Sequence, residues 1–198
     1  MPYLPFMSIH QKITQPGIYF ITFTNHNWLP LMQLTDGYDL VYNWFTILKE
    51  RRHTITGFVI MPNHLHLLLH YAAGGQPLNT IIGNGKRFMA YEIVDRLKQA
   101  KQDEIIARLQ KDVQAKDKAR GKIHEVWEDS FDVKACRTEK FILQKLNYIH
   151  NNPCSGKWKL AADPLHYLHS SASFYISGKA GIYEVRDYRE FIKFDTEE

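Results

Sequence analysis

One stretch limits the folds open to this chain more than any other: Gly57-Phe58-Val59-Ile60-Met61-Pro62-Asn63-His64-Leu65-His66-Leu67-Leu68-Leu69-His70. The β-branched and aromatic run Phe58-Val59-Ile60 reads as a strand, Pro62-Asn63 breaks it, and an alternating segment returns. Pro62-Asn63 turns the chain, and the histidine strand returns as a neighbour of the first. Successive strand side chains point to opposite faces, so His64 and His66 share one face and Leu65, Leu67 and Leu69 take the other, toward a core. Two neighbouring imidazoles on a rigid strand make half of a metal site, since neutral imidazole is the commonest nitrogen ligand in proteins. Taken alone, the pair is more often what a half-buried strand with a polar face carries. His70 falls on the same face, as a strand-end residue or a group behind the ligands.

Other strand and helix patterns fit around this hairpin. Ile18 to Thr24 is dense in β-branched and aromatic residues on both faces and predicts a central strand. From about 36 to 51, Leu40, Val41, Trp44, Phe45 and Leu48 recur at helical spacing. A further helix begins near Leu78, with Gly83 and Gly85 each weakening its start by about 1 kcal/mol relative to Ala. Residues 96–122 are rich in both charge signs over a thin apolar stripe, which predicts a solvated helical extension projecting from the body. Strand character returns at Val126–Ala135. A helix from about Thr138 to Asn152 follows, with Thr138 as N-cap and Pro153 as the stop. Residues 1–16 read as a loosely held lead-in, and the tail after Cys154 as short strands or loops on the sheet.

Composition sets the outer limits. The 198 residues are 44% hydrophobic, 13% aromatic and 23% charged, enough for one well-filled domain and unlike a disordered chain. A net charge of +4 permits a polyanionic partner without requiring one. Cys136 and Cys154 make neither a disulfide framework nor a zinc motif. No signal peptide and no run near the roughly 20 apolar residues of a membrane helix is present, so the expected setting is the reducing cytoplasm, with no membrane partner.

The second informative stretch is the late helix. Ile142, Leu146 and Ile149 form its core stripe, and Tyr148 and Asn152, four residues apart, lie one above the other on the flank of that stripe. There a tyrosine keeps an accessible hydroxyl over a packed ring, and Asn152 offers a carboxamide oxygen. A boundary tyrosine with an Asn C-cap before proline is the plainer reading of the helix by itself. Read with the hairpin, two histidines and an amide oxygen hold a divalent cation with open positions, which polarises a phosphate. The tyrosine attacks phosphorus and conserves the bond energy as a covalent phosphotyrosine.

These motifs resemble the single-tyrosine, His-hydrophobic-His (HUH) transposases, and within them the REP-associated tyrosine transposases. The resemblance is carried by Met61-Pro62-Asn63-His64-Leu65-His66-Leu67-Leu68, Lys86-Arg87-Phe88, Trp127-Glu128-Asp129-Ser130-Phe131, Tyr148-Ile149-His150-Asn151-Asn152-Pro153 and Ser170 to Tyr175. In order and spacing it covers most of residues 15–178, within one domain spanning 1–198. It implies an α/β (α+β) fold, a mostly antiparallel central sheet flanked by helices, as in ferredoxin-like and RRM-like nuclease cores. It implies metal-dependent cleavage of single-stranded DNA at a foldback hairpin, with Tyr148 joined to a 5′-phosphate and a free 3′-hydroxyl released. His64 and His66 match the paired ligands, Asn152 the third, and the family metal is magnesium or manganese. Relatives occur as monomers and as homodimers. The extension at 96–122 and the segment after Pro153 depart from the family pattern.

Lesser signals complete the reading. Lys86 and Arg87 are candidate phosphate contacts or a solvated helix start, and Lys145, one turn before Tyr148, is a candidate partner of the scissile phosphate. Two rival functions share these residues. One is a DNA-hairpin binding protein of the same fold without turnover; the other is a metal-dependent hydrolase of small phosphoesters.

Overall fold

The computed structural model describes residues 12–129 and 131–192. Residues 1–11 of the predicted lead-in therefore lie outside the described residues. Strands β1 (Gly17–Thr24), β2 (Thr54–Met61), β3 (His64–Tyr71) and β4 (Asp132–Ala135) form an antiparallel sheet in the order β2-β3-β1-β4. β1 lies inside that sheet, as its two apolar faces require. The β2–β3 hairpin turns at Pro62-Asn63. A register shift between Ile55 and Gly57 brings Ile55 and Phe58 to the same side.

Each face of the sheet has its own core. On one side Ile21, Phe23, Phe58, Ile60, Leu65, Leu67 and Leu69 pack against two helices, α2 (Tyr38–Glu50) and α3 (Leu78–Gln99), preceded by the single turn α1 (Leu31–Leu34). On the other, Ile18, Phe20, Val59, Met61 and Leu68 meet Ile142, Leu146 and Ile149 of a later helix, Glu139–Asn151. Of these eight, Val59, Met61, Leu68, Ile142 and Ile149 are fully buried, each contributing about 1.5–3 kcal/mol to the packing of that helix on the sheet. Both glycines of α3 are helical, but they do different things. A Cβ at Gly83 would meet nothing within 4 Å, whereas one at Gly85 would lie 2.4 Å from Trp44 Nε1. Gly85 thus lets α2 and α3 approach closely.

The charged stretch 96–122 does not project. It forms α4 (Asp103–Lys111) and α5 (Ala115–Lys118), with Leu109 and Val113 buried and Ile105 and Ile106 packed on the core beneath α3. A stripe of four apolar residues at helical spacing is enough to dock a short helix, and its charges cover the outer side. Arg96 is also committed to structure: it pairs with Asp39 at 2.6 Å and donates to the carbonyls of Thr35 and Asp36.

Thr138 caps the Glu139–Asn151 helix (α6), accepting from Phe141 N, and the helix ends at the Asn152–Cys154 turn containing Pro153. The tail, predicted as short strands or loops on the sheet, is mostly loop and turn with an isolated antiparallel bridge from Ser170 to Val59; it also contains 3₁₀ turns at Pro164–His166 and Tyr188–Phe191 and the short helix α7 (Ala172–Ser177). It runs along the outer edge of β2. Ile60 N donates to His169 O, Ser171 N to Phe58 O and Arg186 N to Ile55 O, while the hydroxyls of Tyr167 and Tyr175 reach Ile60 O and Thr56 O. These bonds, together with the one from Phe58 N to Ser171 Oγ, occupy the outward backbone groups of Phe58 and Ile60 and the Ile55 and Thr56 carbonyls. No described helix is long and apolar enough to cross a membrane.

Candidate active site

The β1–β3 register sets the two histidines. Thr22 lies opposite His66 and Thr24 opposite His64. His66 Nδ1 is 2.7 Å from Thr22 Oγ1, and His64 Nδ1 is 2.7 Å from Asn63 Oδ1. The rings stand 4.7 Å apart between centroids, both buried. Asn63 Oδ1 is an acceptor only, so His64 Nδ1–H donates and Nε2 keeps its lone pair. The same assignment at His66, with Nδ1–H donating to Thr22, frees its Nε2 as well. That Nε2 is sealed from solvent and has no partner among the described residues.

Burial holds both imidazoles neutral. It lowers the His64 pKa to about 4, with Asn152 hydrogen bonding pulling the other way. It takes His66 well below the usual histidine range, reinforced by the neighbouring His64 and by Lys145. Neutral imidazole is the ligating form. An orphaned buried nitrogen carries a desolvation penalty of about 1–3 kcal/mol, which a Lewis acid at that point relieves. Two nitrogen lone pairs and the Asn152 carboxamide beside His64 make a donor set that fits a divalent cation.

α6 delivers the phenol. Its Leu146 sits so close over β2 that a Cβ on Gly57 would lie 2.7 Å from Leu146 Cδ2. Two positions along the helix, Tyr148 is 49% exposed, with its ring centroid 4.9 Å from that of His66 and 6.1 Å from that of Phe20. Asn152 follows one turn on, as the helix C-cap. Tyr148 thus meets His66 within one chain, with His64 beside His66 and the Asn152 side chain acting on His64. Lys145 joins them: its ammonium lies 4.7 Å over the Phe20 ring and 5.9 Å from that of Tyr148, with no carboxylate partner among the described residues.

Lys86 and Arg87 lie elsewhere, on α3. Lys86 Nζ donates to Glu128 O at 2.8 Å, and burial, helped by Lys122, lowers its pKa to about 8. It ties α3 to the segment before β4, where Trp127 Nε1 donates back to Lys86 O. Arg87 is exposed, 5.1 Å over the Phe88 ring. Both border an open cleft with Tyr91, Lys98, Arg120 and Lys122. Sequence reasoning did not find the orienting groups Thr22 and Asn63: strand register pairs Thr22 with His66, and Asn63 reads only as the turn residue before His64 until its side chain is seen folded back onto that ring. It also did not find Asp117, Glu125 and Asp129, whose carboxylates come within 4.8 Å of one another and are partly neutralised by Lys122.

A four-stranded antiparallel sheet flanked by helices is a mixed α/β fold. A REP-associated tyrosine transposase, solved bound to a REP hairpin, has the same fold: 96% of this chain matches 96% of that one, at TM-score 0.55 and 17% identity. A candidate transposase from Deinococcus radiodurans matches 73% of this chain over 97% of its own length, at TM-score 0.43 and 17% identity. No protein-family model matches the chain, and no curated protein sequence does.

Proposed function

We propose that this chain is a metal-dependent DNA transposase, a single-strand endonuclease and strand transferase acting at hairpin-flanked DNA through Tyr148. The observation that carries the reading is the half-exposed phenol beside the unpartnered, neutral His66 in the same subunit. The fold shared with a hairpin-bound transposase supports hairpin DNA as the partner.

The residues divide the work. His64, His66 and Asn152 would hold magnesium or manganese, which when bound supplies charge neutralisation at the scissile phosphate. Thr22 and Asn63 fix the ring orientations, as groups behind metal ligands commonly do. Tyr148 Oη attacks phosphorus and the P–O3′ bond breaks. The phenolic proton passes to solvent and the 3′-oxygen leaves as a hydroxyl. The product is a 5′-phosphotyrosine, and attack by another 3′-hydroxyl releases Tyr148 and joins the strands. Lys145 offsets charge on the phosphate from the Tyr148 side. A neutral phenol is a modest nucleophile, so the gain comes from activating the phosphate and from positioning.

The test is a denaturing gel of the protein with labelled hairpin DNA from the flanks of its own gene, with magnesium or manganese. Wild type yields a covalent adduct and a free 3′ end. Tyr148→Phe yields neither and still shifts the hairpin on a native gel. Normal nicking by that variant overturns the nucleophile assignment.

A further inference from the structure

The connection from β1 to α1 carries a feature that the chemistry above does not use. In the His26–Trp28 turn, two successive non-glycine residues, Asn27 (φ 51°) and Trp28 (φ 56°), hold left-handed backbone. That conformation is unfavourable for a bulky side chain and persists only where its surroundings over-determine it. Here they do. Asn27 N donates to Glu128 Oε1 at 2.7 Å, and Asn27 Nδ2 to Asp112 Oδ2 at 2.9 Å. The same Asp112 oxygen is 3.0 Å from His26 Nε2. Asn63, which orients His64, donates through Nδ2 to Trp28 O at 3.2 Å.

All this restraint displays an indole that buries little. Trp28 is 58% exposed and meets the His64 ring edge-on, with centroids 5.9 Å apart. A large aromatic held rigidly in solvent is not there for core packing. Beside a site that handles the phosphate of an unpaired strand, its free π face matches a nucleobase, because every base has a π face and stacking needs no particular sequence. The charged stretch that follows α3 gains a role as well. Asp112, at the end of α4, and Glu128, ahead of β4, are the two carboxylates that pin the turn.

We propose that Trp28 is a stacking platform for an unpaired nucleobase of the substrate strand, next to the phosphate handled at His64, His66 and Tyr148, and that Asp112 and Glu128 hold it there. The inference rests on reading the site as a single-strand nuclease. It adds a contact to the nucleobase and assigns a positioning role to the segment 112–128.

The experiment measures binding of the full chain to a fluorescent hairpin oligonucleotide with a single-stranded flank, by anisotropy in EDTA. Trp28→Ala weakens binding roughly 5- to 150-fold, the range that loss of one base–aromatic stack gives (about 1–3 kcal/mol), and Trp28→Phe restores most of it. Abasic substitutions scanned along the flank locate one nucleotide whose loss weakens wild type by a similar factor and leaves Trp28→Ala unchanged. A purely structural role for the indole would not couple to that nucleotide, so this cycle decides even if Trp28→Ala lowers Tm. Asp112→Asn shifts binding in the same direction by a smaller factor. Binding by Trp28→Ala within twofold of wild type, or an abasic penalty that adds to it in full, overturns the proposal. If wild type still forms the Tyr148 adduct in that case, only the stacking inference falls. If wild type neither binds nor forms an adduct, both fall.

Discussion

Gly83→Ala and Gly85→Ala change the same helix by the same methyl group, and the two should move stability in opposite directions. Replacing glycine inside α3 gains about 1 kcal/mol of helix propensity at either position. At Gly83 the new methyl meets nothing, so the full gain survives. At Gly85 it would sit 2.4 Å from Trp44 Nε1 and 2.6 Å from Cε2, more than 1 Å inside the ordinary contact distance of about 3.5–4.0 Å. Trp44 is buried against Phe23 and Phe45, so its indole cannot swing aside without opening the core. Overpacking of this kind costs about 1–3 kcal/mol, and an overlap this deep belongs at the upper end. The net for Gly85→Ala is a loss of about 2 kcal/mol. At about 2–4 °C per kcal/mol for a chain of this size, Tm falls by about 4–8 °C, against a rise of about 2–4 °C for Gly83→Ala. Urea titrations and thermal scans of the two variants measure both. Trp44→Phe should remove most of the Gly85→Ala penalty, since the clashing atoms belong to the five-membered ring. A Gly85→Ala protein as stable as wild type refutes the argument that close helix approach is what this glycine provides.

Three further outcomes follow from the geometry. Thr22→Val removes the group that orients His66 and should weaken manganese binding about 10- to 100-fold by calorimetry, with the fold unchanged by circular dichroism; unchanged affinity would mean that Thr22 does not set the ring. His150 is buried against Ser171, and burial lowers its pKa to about 4, so on acidification the unfolded chain takes up the proton first. Stability should therefore fall as pH drops from about 6.5 toward 4, by up to about 3 kcal/mol from this residue, and His150→Gln should flatten the urea midpoint against pH over that window; an equal slope in the variant counts against it. Arg96→Ala leaves the Thr35 and Asp36 carbonyls and the Asp39 carboxylate without their donor, and a urea titration should register about 1–2 kcal/mol of lost stability; a loss near zero would place Arg96 among the inconsequential surface ion pairs.

The parts of the molecule legible in the sequence are those governed by local periodicity. The alternation around His64 and His66, the stripe Ile142/Leu146/Ile149 and the Thr138 cap each follow from spacing within one element. Less legible were features set by distant partners. Lys86 reads as a surface cation until Glu128 O, 42 residues on, is found accepting from it. The stripe Ile105/Leu109/Val113 reads as too thin to bury until the flank of α3 is there to receive it. Nothing in the local sequence separates Gly83 from Gly85, because the difference is an indole forty residues earlier. The meeting of Tyr148 with His66 depends on how deeply α6 settles over Gly57, and only the assembled sheet sets that depth.

The covered edge of β2 has a consequence for how the chain is divided. Once residues 167–186 are hydrogen-bonded along it, the sheet cannot be extended on that side, while the far side ends in a four-residue strand that offers a stranger little to grip. The last stretch is therefore a cover on the open edge of β2. Stripped of it, the run from Ile55 to Ile60 would stand as a bare, greasy ribbon with its amides unanswered, ready to zip onto the same ribbon of another copy.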